Sequence, residues 1–158
     1  AQNPCPCGFL GDSVHRCSCK QSEIDSYKRK ISGPLMDRID MQINLSRVEF
    51  SELKTKEKGE ASAAIRERVV KARLLQQERL EALGMHCNAQ MGRSEVVKYC
   101  QLDAAAQNVM ERYFNMLSAR SHDRILKVAR TIADLAGSEN IEAVHLAEAI
   151  QLRTSVRP

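Results

Sequence analysis

The chain has no tryptophan and few other aromatic residues. Aromatic residues make up 4% of the 158 residues, whereas hydrophobic residues together make up 43%. A core can therefore form, but it must be built mainly from leucine, isoleucine, valine, alanine and methionine. Because alanine, leucine, glutamate, lysine and arginine dominate the sequence, its composition favours helix.

Long apolar runs are also missing. No hydrophobic stretch approaches the length of a membrane span, and the chain does not open on a signal peptide. We therefore expect a cytoplasmic protein with reduced thiols and no membrane partner. The first residue is not methionine, and residues 1–3 resemble the end of a strand, which suggests a piece excised from a longer protein.

The phosphate-binding motif GxxxxGK[ST] is absent from the sequence, and no acidic run ends a buried strand. We therefore expect this polypeptide alone not to hydrolyse ATP. The net charge of +4 permits a nucleotide or nucleic-acid partner without requiring one.

Four of the six cysteines form two Cys-x-Cys pairs near the start of the chain: Cys5, Cys7, Cys17 and Cys19. The segment between the pairs contains Gly8, Gly11 and Asp12, which favour turns and can bring the pairs together. Four thiolates complete a tetrahedral zinc site, and His15 is an additional candidate ligand. The alternative is a set of thiols without metal.

The stretch from Ile31 to Leu45 combines a break, a turn and an alternating segment. Pro34 is suited to a first helical turn, so we expect a short, rigid turn before Arg38. Residues 41–45 alternate between apolar and polar, which predicts a short, half-buried strand.

Arg38 has two interpretations. An arginine held on a rigid turn can be directed at a group outside its own subunit. Alternatively, Arg38 forms a surface ion pair with Asp37 or Asp40, and such a pair contributes little to stability.

Most of the remaining sequence has helical periodicity. The predicted helices cover residues 22–30, 61–83, 94–100, 103–117, 118 or 121 to 136, and 142–153. Their predicted N-caps are Ser22, Ser94, Asp103, and Ser118 or Ser121. The core-facing residues of the long helix are predicted to be Ile65, Val69, Ala72, Leu75 and Leu83. Charges of both signs on its other faces favour a solvated, ion-paired surface.

Several segments together resemble the C-terminal portion of the ComM/YifB group of AAA+ ATPases. They are NPCPCG with the cysteine loop, SGPLMDRID, SARSHDRILKVARTIADLAG and a final AEAIQLR. This group is similar to the ATPase subunit of magnesium chelatase. The resemblance implies a mainly α chain: residues 1–50 are a truncated piece of the α/β core, 51–60 a linker, and 61–158 a helical lid.

The resemblance also implies roles for individual residues. Asn3 matches the sensor-1 residue that positions the attacking water, and Arg38 matches the arginine finger that reaches a neighbour's ATP. Arg120 matches the sensor-2 arginine, which contacts the γ-phosphate in its own subunit, and Arg124 is the second choice.

The function implied is that of a homo-hexameric DNA motor that drives branch migration in recombination or natural transformation. The full-length protein would use ATP and Mg²⁺. Structural Zn²⁺ in the cysteine loop is predicted from the cysteine spacing and not from the resemblance, and thiols without metal remain its alternative. Two alternatives remain open: a chelatase-type ATPase for metal insertion into a porphyrin, and a non-enzymatic zinc and nucleic-acid-binding module.

Overall fold

The computed structural model describes residues 1–45, 48, 54, 59–115 and 117–154. Within these residues the regular secondary structure is helical and contains no strand, as the composition predicted. The chain divides into two compact units: Ala1–Ile39 with Asn44–Lys56, and Asp40–Ile43 with Glu57–Pro158. No helix in the described ranges is long and apolar enough to cross a membrane.

The first unit contains two described helices, α1 (Gln21–Arg29) and α2 (Gly33–Met36). Helix α1 follows Lys20, whose N–H donates to the Glu23 carboxylate at 2.8 Å, so the predicted cap Ser22 lies inside the helix. Helix α2 begins as predicted. Ser32 Oγ accepts the Leu35 N–H at 3.3 Å, and proline occupies the first turn.

The predicted strand at residues 41–45 is wrong. These residues have no regular secondary structure, and their apolar side chains are exposed: Met41 at 52%, Ile43 at 68% and Leu45 at 90%. Residues 1–3 are not in a strand either. A strand needs a neighbouring strand to pair with, and alternation in the sequence does not supply one. The Gln42 N–H instead donates to the Leu152 carbonyl, 2.6 Å away.

The second unit is a helical bundle. Its α-helices are α3 (Ser62–Leu80), α4 (Arg93–Tyr99), α5 (Ala104–Phe114), α6 (Ala119–Ala136) and α7 (Ala143–Thr154). Short 3₁₀ helices lie at Glu81–Leu83 and Asn88–Gln90. Helix α6 is central, since α3, α4 and α7 all pack on it, and α5 packs on α7.

Local signals define several ends of these helices. Asp103 caps α5 by accepting the Ala106 N–H at 2.6 Å, and Ser118 caps α6 by accepting the Ser121 N–H at 3.1 Å. Gly137 ends α6 in the left-handed conformation, with φ of +71°. Helix α4 differs from the prediction, because Gly92 precedes it and Ser94 lies in its first turn.

The predicted core face of α3 is mostly wrong. The structure buries Ala72, Gln76 and Leu80, whereas Ile65 and Val69 are 41% and 46% exposed. Residues 62–71 are all exposed, so only the C-terminal half of the helix is covered by the bundle. Periodicity identifies a face of a helix, but not how much of that face meets a partner. Leu75 and Leu83, also predicted to face the core, are at least 40% exposed.

Candidate functional site

The cysteine loop brings four sulfur atoms together. The Sγ atoms of Cys5, Cys7, Cys17 and Cys19 all lie within 4.8 Å of one another. The Cys5–Cys7, Cys5–Cys17 and Cys7–Cys17 separations are 3.4, 3.7 and 3.6 Å. A disulfide bond requires about 2.05 Å, so these are free thiols in contact. This cysteine cluster can hold a metal ion.

Turns between the two pairs explain why the sulfurs meet. Gly8 and Gly11 both have positive φ, +83° and +82°, a conformation that other residues rarely adopt. The Gly8 N–H donates to the Cys5 carbonyl at 3.0 Å, which closes the first turn. Asp12 Oδ1 then accepts the His15 N–H at 2.7 Å, which reverses the chain toward the second pair.

His15 is not a member of the group. Its ring packs edge-on against Phe9, with 5.0 Å between the ring centroids, and the side chain is exposed. The additional ligand considered from the sequence therefore lies outside the cluster, and the donor set consists of sulfur alone.

The electrostatics of the cluster favour ionisation of Cys7 and oppose ionisation of Cys17 and Cys19. Backbone N–H groups of Phe9 and Ser18 lower the pKa of Cys7 to about 5. The pKa of Cys19 is lowered by the Cys7 backbone N–H, but desolvation and the neighbouring sulfurs outweigh this and raise it to about 12. Negative charge therefore accumulates with difficulty here, and a cation among the sulfurs would remove that opposition.

Arg38 is exposed at the end of the α2 turn. Its Nη1 donates back to the Pro34 carbonyl at 3.3 Å. Asp40, one of the two carboxylates considered as its partner, forms an ion pair with Arg124. Asn3, also exposed, lies beside the cysteine loop, where its amide is 3.8 Å from the Cβ position at Gly8. The turn that carries Arg38 is held by hydrogen bonds at both ends, because Ser32 Oγ accepts the Leu35 N–H and the Arg38 N–H donates to the Leu35 carbonyl.

The two candidate sensor arginines differ in their surroundings. Arg120 lies in the first turn of α6 and is exposed, and its side chain forms no hydrogen bond or ion pair with any residue that the structure describes. Arg124, one turn later, is partly buried and pairs with Asp40. Arg120 is therefore the more accessible of the two.

Sequence reasoning missed a buried charge network in the bundle. Asp134 is completely buried and accepts hydrogen bonds from Arg79, Arg130 and Asn88. Arg130 also donates to the carbonyls of Ser138 and Glu139, both at 2.6 Å. The available signal was the i, i+4 spacing of Arg130 and Asp134 among apolar residues of α6. Arg79 is one of the charged residues on the faces of α3 that the sequence predicts to be solvated, and for Arg79 that prediction is wrong, because its side chain is only 19% exposed and pairs with Asp134.

The polar groups of this network form their hydrogen bonds within the bundle. Among the described residues, no buried polar side-chain atom lacks a hydrogen-bond partner. The arrangement therefore offers no unsatisfied group to a ligand, and its effect is to join α3, α6 and the 3₁₀ turn at Asn88–Gln90.

Two family models match the chain, one over its N-terminal third and one over the helical bundle. Residues 59–153 match the family described as magnesium chelatase, subunit ChlI C-terminal, and residues 1–53 match magnesium chelatase, subunit ChlI. The competence protein ComM of Haemophilus influenzae is 39% identical over 160 residues, which cover 99% of this chain. The uncharacterised protein YifB of Escherichia coli is 35% identical over 156 residues, which cover 97% of it.

The chain spans about 30% of the length of each of these relatives. The larger family match covers more than half of the chain, and the helical bundle is the part that it matches. The chain therefore belongs to the magnesium-chelatase-like AAA+ family, of which it represents a ComM/YifB-type fragment.

Proposed function

We propose that this chain is the nucleotide-sensing and lid portion of an AAA+ ATPase that acts as a hexameric DNA motor. Its family is that of an ATPase subunit, and a relative 39% identical to it is named a competence protein. Competence is the uptake of DNA by cells, and incoming DNA must be recombined. A motor that drives branch migration on such DNA agrees with the family and with the net charge of +4.

The observation that carries the proposal is the placement of Arg38. Ser32 caps the short helix before it, proline fixes the first turn, and the guanidinium is anchored to the Pro34 carbonyl. An exposed arginine on a fixed turn is suited to act across a subunit interface. There it would stabilise the charge that develops on the γ-phosphate during transfer.

The other proposed roles come from the resemblance to the family. Arg120 contacts the γ-phosphate of its own subunit, and its exposure at the start of the lid helix α6 is compatible with that role. Arg124 would first have to leave Asp40. Asn3 would position the attacking water. ATP and Mg²⁺ are the cofactors of the full-length protein, as the family suggests.

The same proposal assigns three segments. Residues 1–50 belong to the α/β core, 51–60 form a linker, and 61–158 form the lid. The two family matches, 1–53 and 59–153, leave a short gap within the proposed linker, most of which lies outside the described residues.

The test uses the full-length protein, because this chain covers about 30% of its relatives. Arg38→Ala should abolish ATP hydrolysis and leave nucleotide binding nearly unchanged, because a finger acts on charge that appears only in the transition state. Arg29→Ala is the matched control, an exposed arginine in the same unit, and it should retain activity. Arg120→Ala should weaken nucleotide binding as well as hydrolysis.

Mixing separates a finger from a local structural role. Arg38→Ala subunits are combined with subunits that keep Arg38 but lack the phosphate-loop lysine. Mixed rings place an intact finger beside an intact pocket, so activity should return although neither parent has it. If rings assemble and exchange subunits without regaining activity, Arg38 does not act across the interface.

A chelatase-type ATPase would share these arginines, so the experiment above does not distinguish it. Stimulation of ATP hydrolysis by branched DNA favours the DNA motor, and stimulation by a porphyrin with its metal favours the chelatase. DNA binding that needs no ATP and disappears on metal chelation would favour the zinc and nucleic-acid-binding module.

A further inference from the structure

We propose that Cys5, Cys7, Cys17 and Cys19 bind a single Zn²⁺ ion in a structural site with four thiolate ligands. The site takes the place of a hydrophobic core in the first unit. This inference is independent of the ATPase proposal, since it concerns only the cysteine cluster and the unit that contains it.

The sulfur separations fit one metal ion. Zinc–sulfur bonds are about 2.3 Å long, so the sulfurs of a regular tetrahedral site are about 3.8 Å apart. The contacts among Cys5, Cys7 and Cys17 are 3.4, 3.6 and 3.7 Å, and all four sulfurs lie within 4.8 Å of one another. A small adjustment of side-chain torsions would place the four thiolates around a common centre.

The donor set also defines the kind of metal and its role. Four thiolates are soft ligands, which select zinc over the oxygen-preferring magnesium. They fill all four tetrahedral positions and leave none for a water molecule, so the site is structural rather than catalytic. A cluster of several irons would need its thiolates distributed around more than one metal ion.

Burial in the first unit shows why such a site is needed. Among the described residues of this unit, only Cys5 and Ile24 are buried, at 0% and 5% exposure. Two buried side chains do not make a core, and small units of this kind are usually stabilised by a metal or by disulfides. The disulfides are absent here, because all four cysteines are free.

The two glycines of the loop are a second reason why the first unit needs a stabilising metal. Gly8 and Gly11 have high conformational entropy when the chain is unfolded, and their turns must be held in the folded state. An unfolded loop has no preformed site, so the free energy of metal binding stabilises the folded loop directly. The metal would therefore set the conformation of the chain from residue 5 to residue 19.

Metal content is the first test, on the 158-residue chain purified without added metal. We expect about one equivalent of zinc, and after replacement by Co²⁺ the intense visible spectrum of tetrahedral thiolate coordination. Cys17→Ser should lose both signals. Cys87→Ser is the matched control, because Cys87 lies outside the cluster, and it should retain both.

Less than about a tenth of an equivalent of zinc, together with no cobalt spectrum when Co²⁺ is added to the reduced chain, would overturn the proposal. The cobalt titration uses the unaltered chain, so it remains decisive even if Cys17→Ser fails to fold.

Amide hydrogen exchange tests the structural role. Removal of zinc by a chelator should raise exchange in residues 5–31 severalfold and leave exchange in α6 and α7 unchanged. Bound zinc whose removal changes neither segment would show that the ion does not stabilise the first unit. ATP hydrolysis is not measured in either test, so the outcome is separate from that of the motor proposal.

Discussion

Arg79 and Asp134 are 55 positions apart in the sequence and joined by two hydrogen bonds, of 2.6 and 3.1 Å. The Asp134 carboxylate is completely buried, and the Arg79 side chain is 19% exposed. Arg130, only 2% exposed, shares the same carboxylate. One buried negative charge therefore holds two arginines, and it links the first long helix of the bundle to the central one.

Loss of that carboxylate should be costly. Asp134→Ala leaves Arg79 and Arg130 close together without a counter-charge, and we expect the free energy of unfolding to fall by about 3–5 kcal/mol. Chemical denaturation followed by helical circular dichroism measures it. Glu67→Ala is the control, because the exposed Glu67–Lys71 pair should contribute about 0.5 kcal/mol or less. Similar losses for the two variants would contradict this account of the network.

Position along α3 should determine the effect of truncating its apolar side chains. Leu80 is completely buried, so Leu80→Ala should cost about 2–5 kcal/mol. Ile65 is 41% exposed, and Ile65→Ala should cost less than about 1 kcal/mol in this chain because little contact is lost. Urea denaturation of both variants provides the measurement. If Leu80→Ala and Ile65→Ala lower the free energy of unfolding equally, the N-terminal half of α3 is covered in solution.

Gly137 should tolerate substitution less well than Gly59. A Cβ would meet no atom within 4 Å at either position, but Gly137 has φ of +71°. Gly137→Ala should therefore cost about 1–2 kcal/mol through backbone strain alone. Gly59→Ala should change stability by less than about 0.5 kcal/mol. Thermal unfolding of the two variants checks the difference, and a Gly137→Ala variant as stable as the parent would contradict it.

Cys100 should resist alkylation in the folded chain. Burial raises the pKa of Cys100 to about 12, so its reactive thiolate is scarce at pH 8. Cys87 is partly exposed and should be alkylated by iodoacetamide first. Peptide mass spectrometry over time follows both sites. Denaturant should remove the difference, because Cys100 then leaves the core. Equally fast labelling of both residues without denaturant would show that the bundle opens readily.

Three helix ends of the second unit were predictable from sequence. Asp103 and Ser118 bond to backbone N–H groups three residues ahead, and Gly137 adopts a conformation that favours glycine. Each signal acts within one helical turn, so no distant contact is needed to recognise it. Gly92 was missed, because it precedes a helix whose Glu95 supplies the hydrogen bond.

Part of the candidate site was also predictable. Gly8, Gly11 and Asp12 predicted that the chain turns back and brings the two cysteine pairs together, and the structure confirms this approach, whereas metal binding stays a prediction. The roles of Asn3, Arg38, Arg120 and Arg124 came from resemblance to a family and stay predictions. What the sequence did not show was that Arg124 is paired with Asp40, 84 positions away.

The sequence by itself determined the helical composition and the ends of α5 and α6 at Asp103, Ser118 and Gly137, because each depends on residue type or on neighbours within a turn. Only the tertiary structure decided that α3 is buried along half its length, that residues 41–45 form no strand, and that Asp134 unites two arginines. These features depend on which distant surface meets which. Burial and pairing require a partner in space, and a periodic pattern specifies a face without specifying its partner.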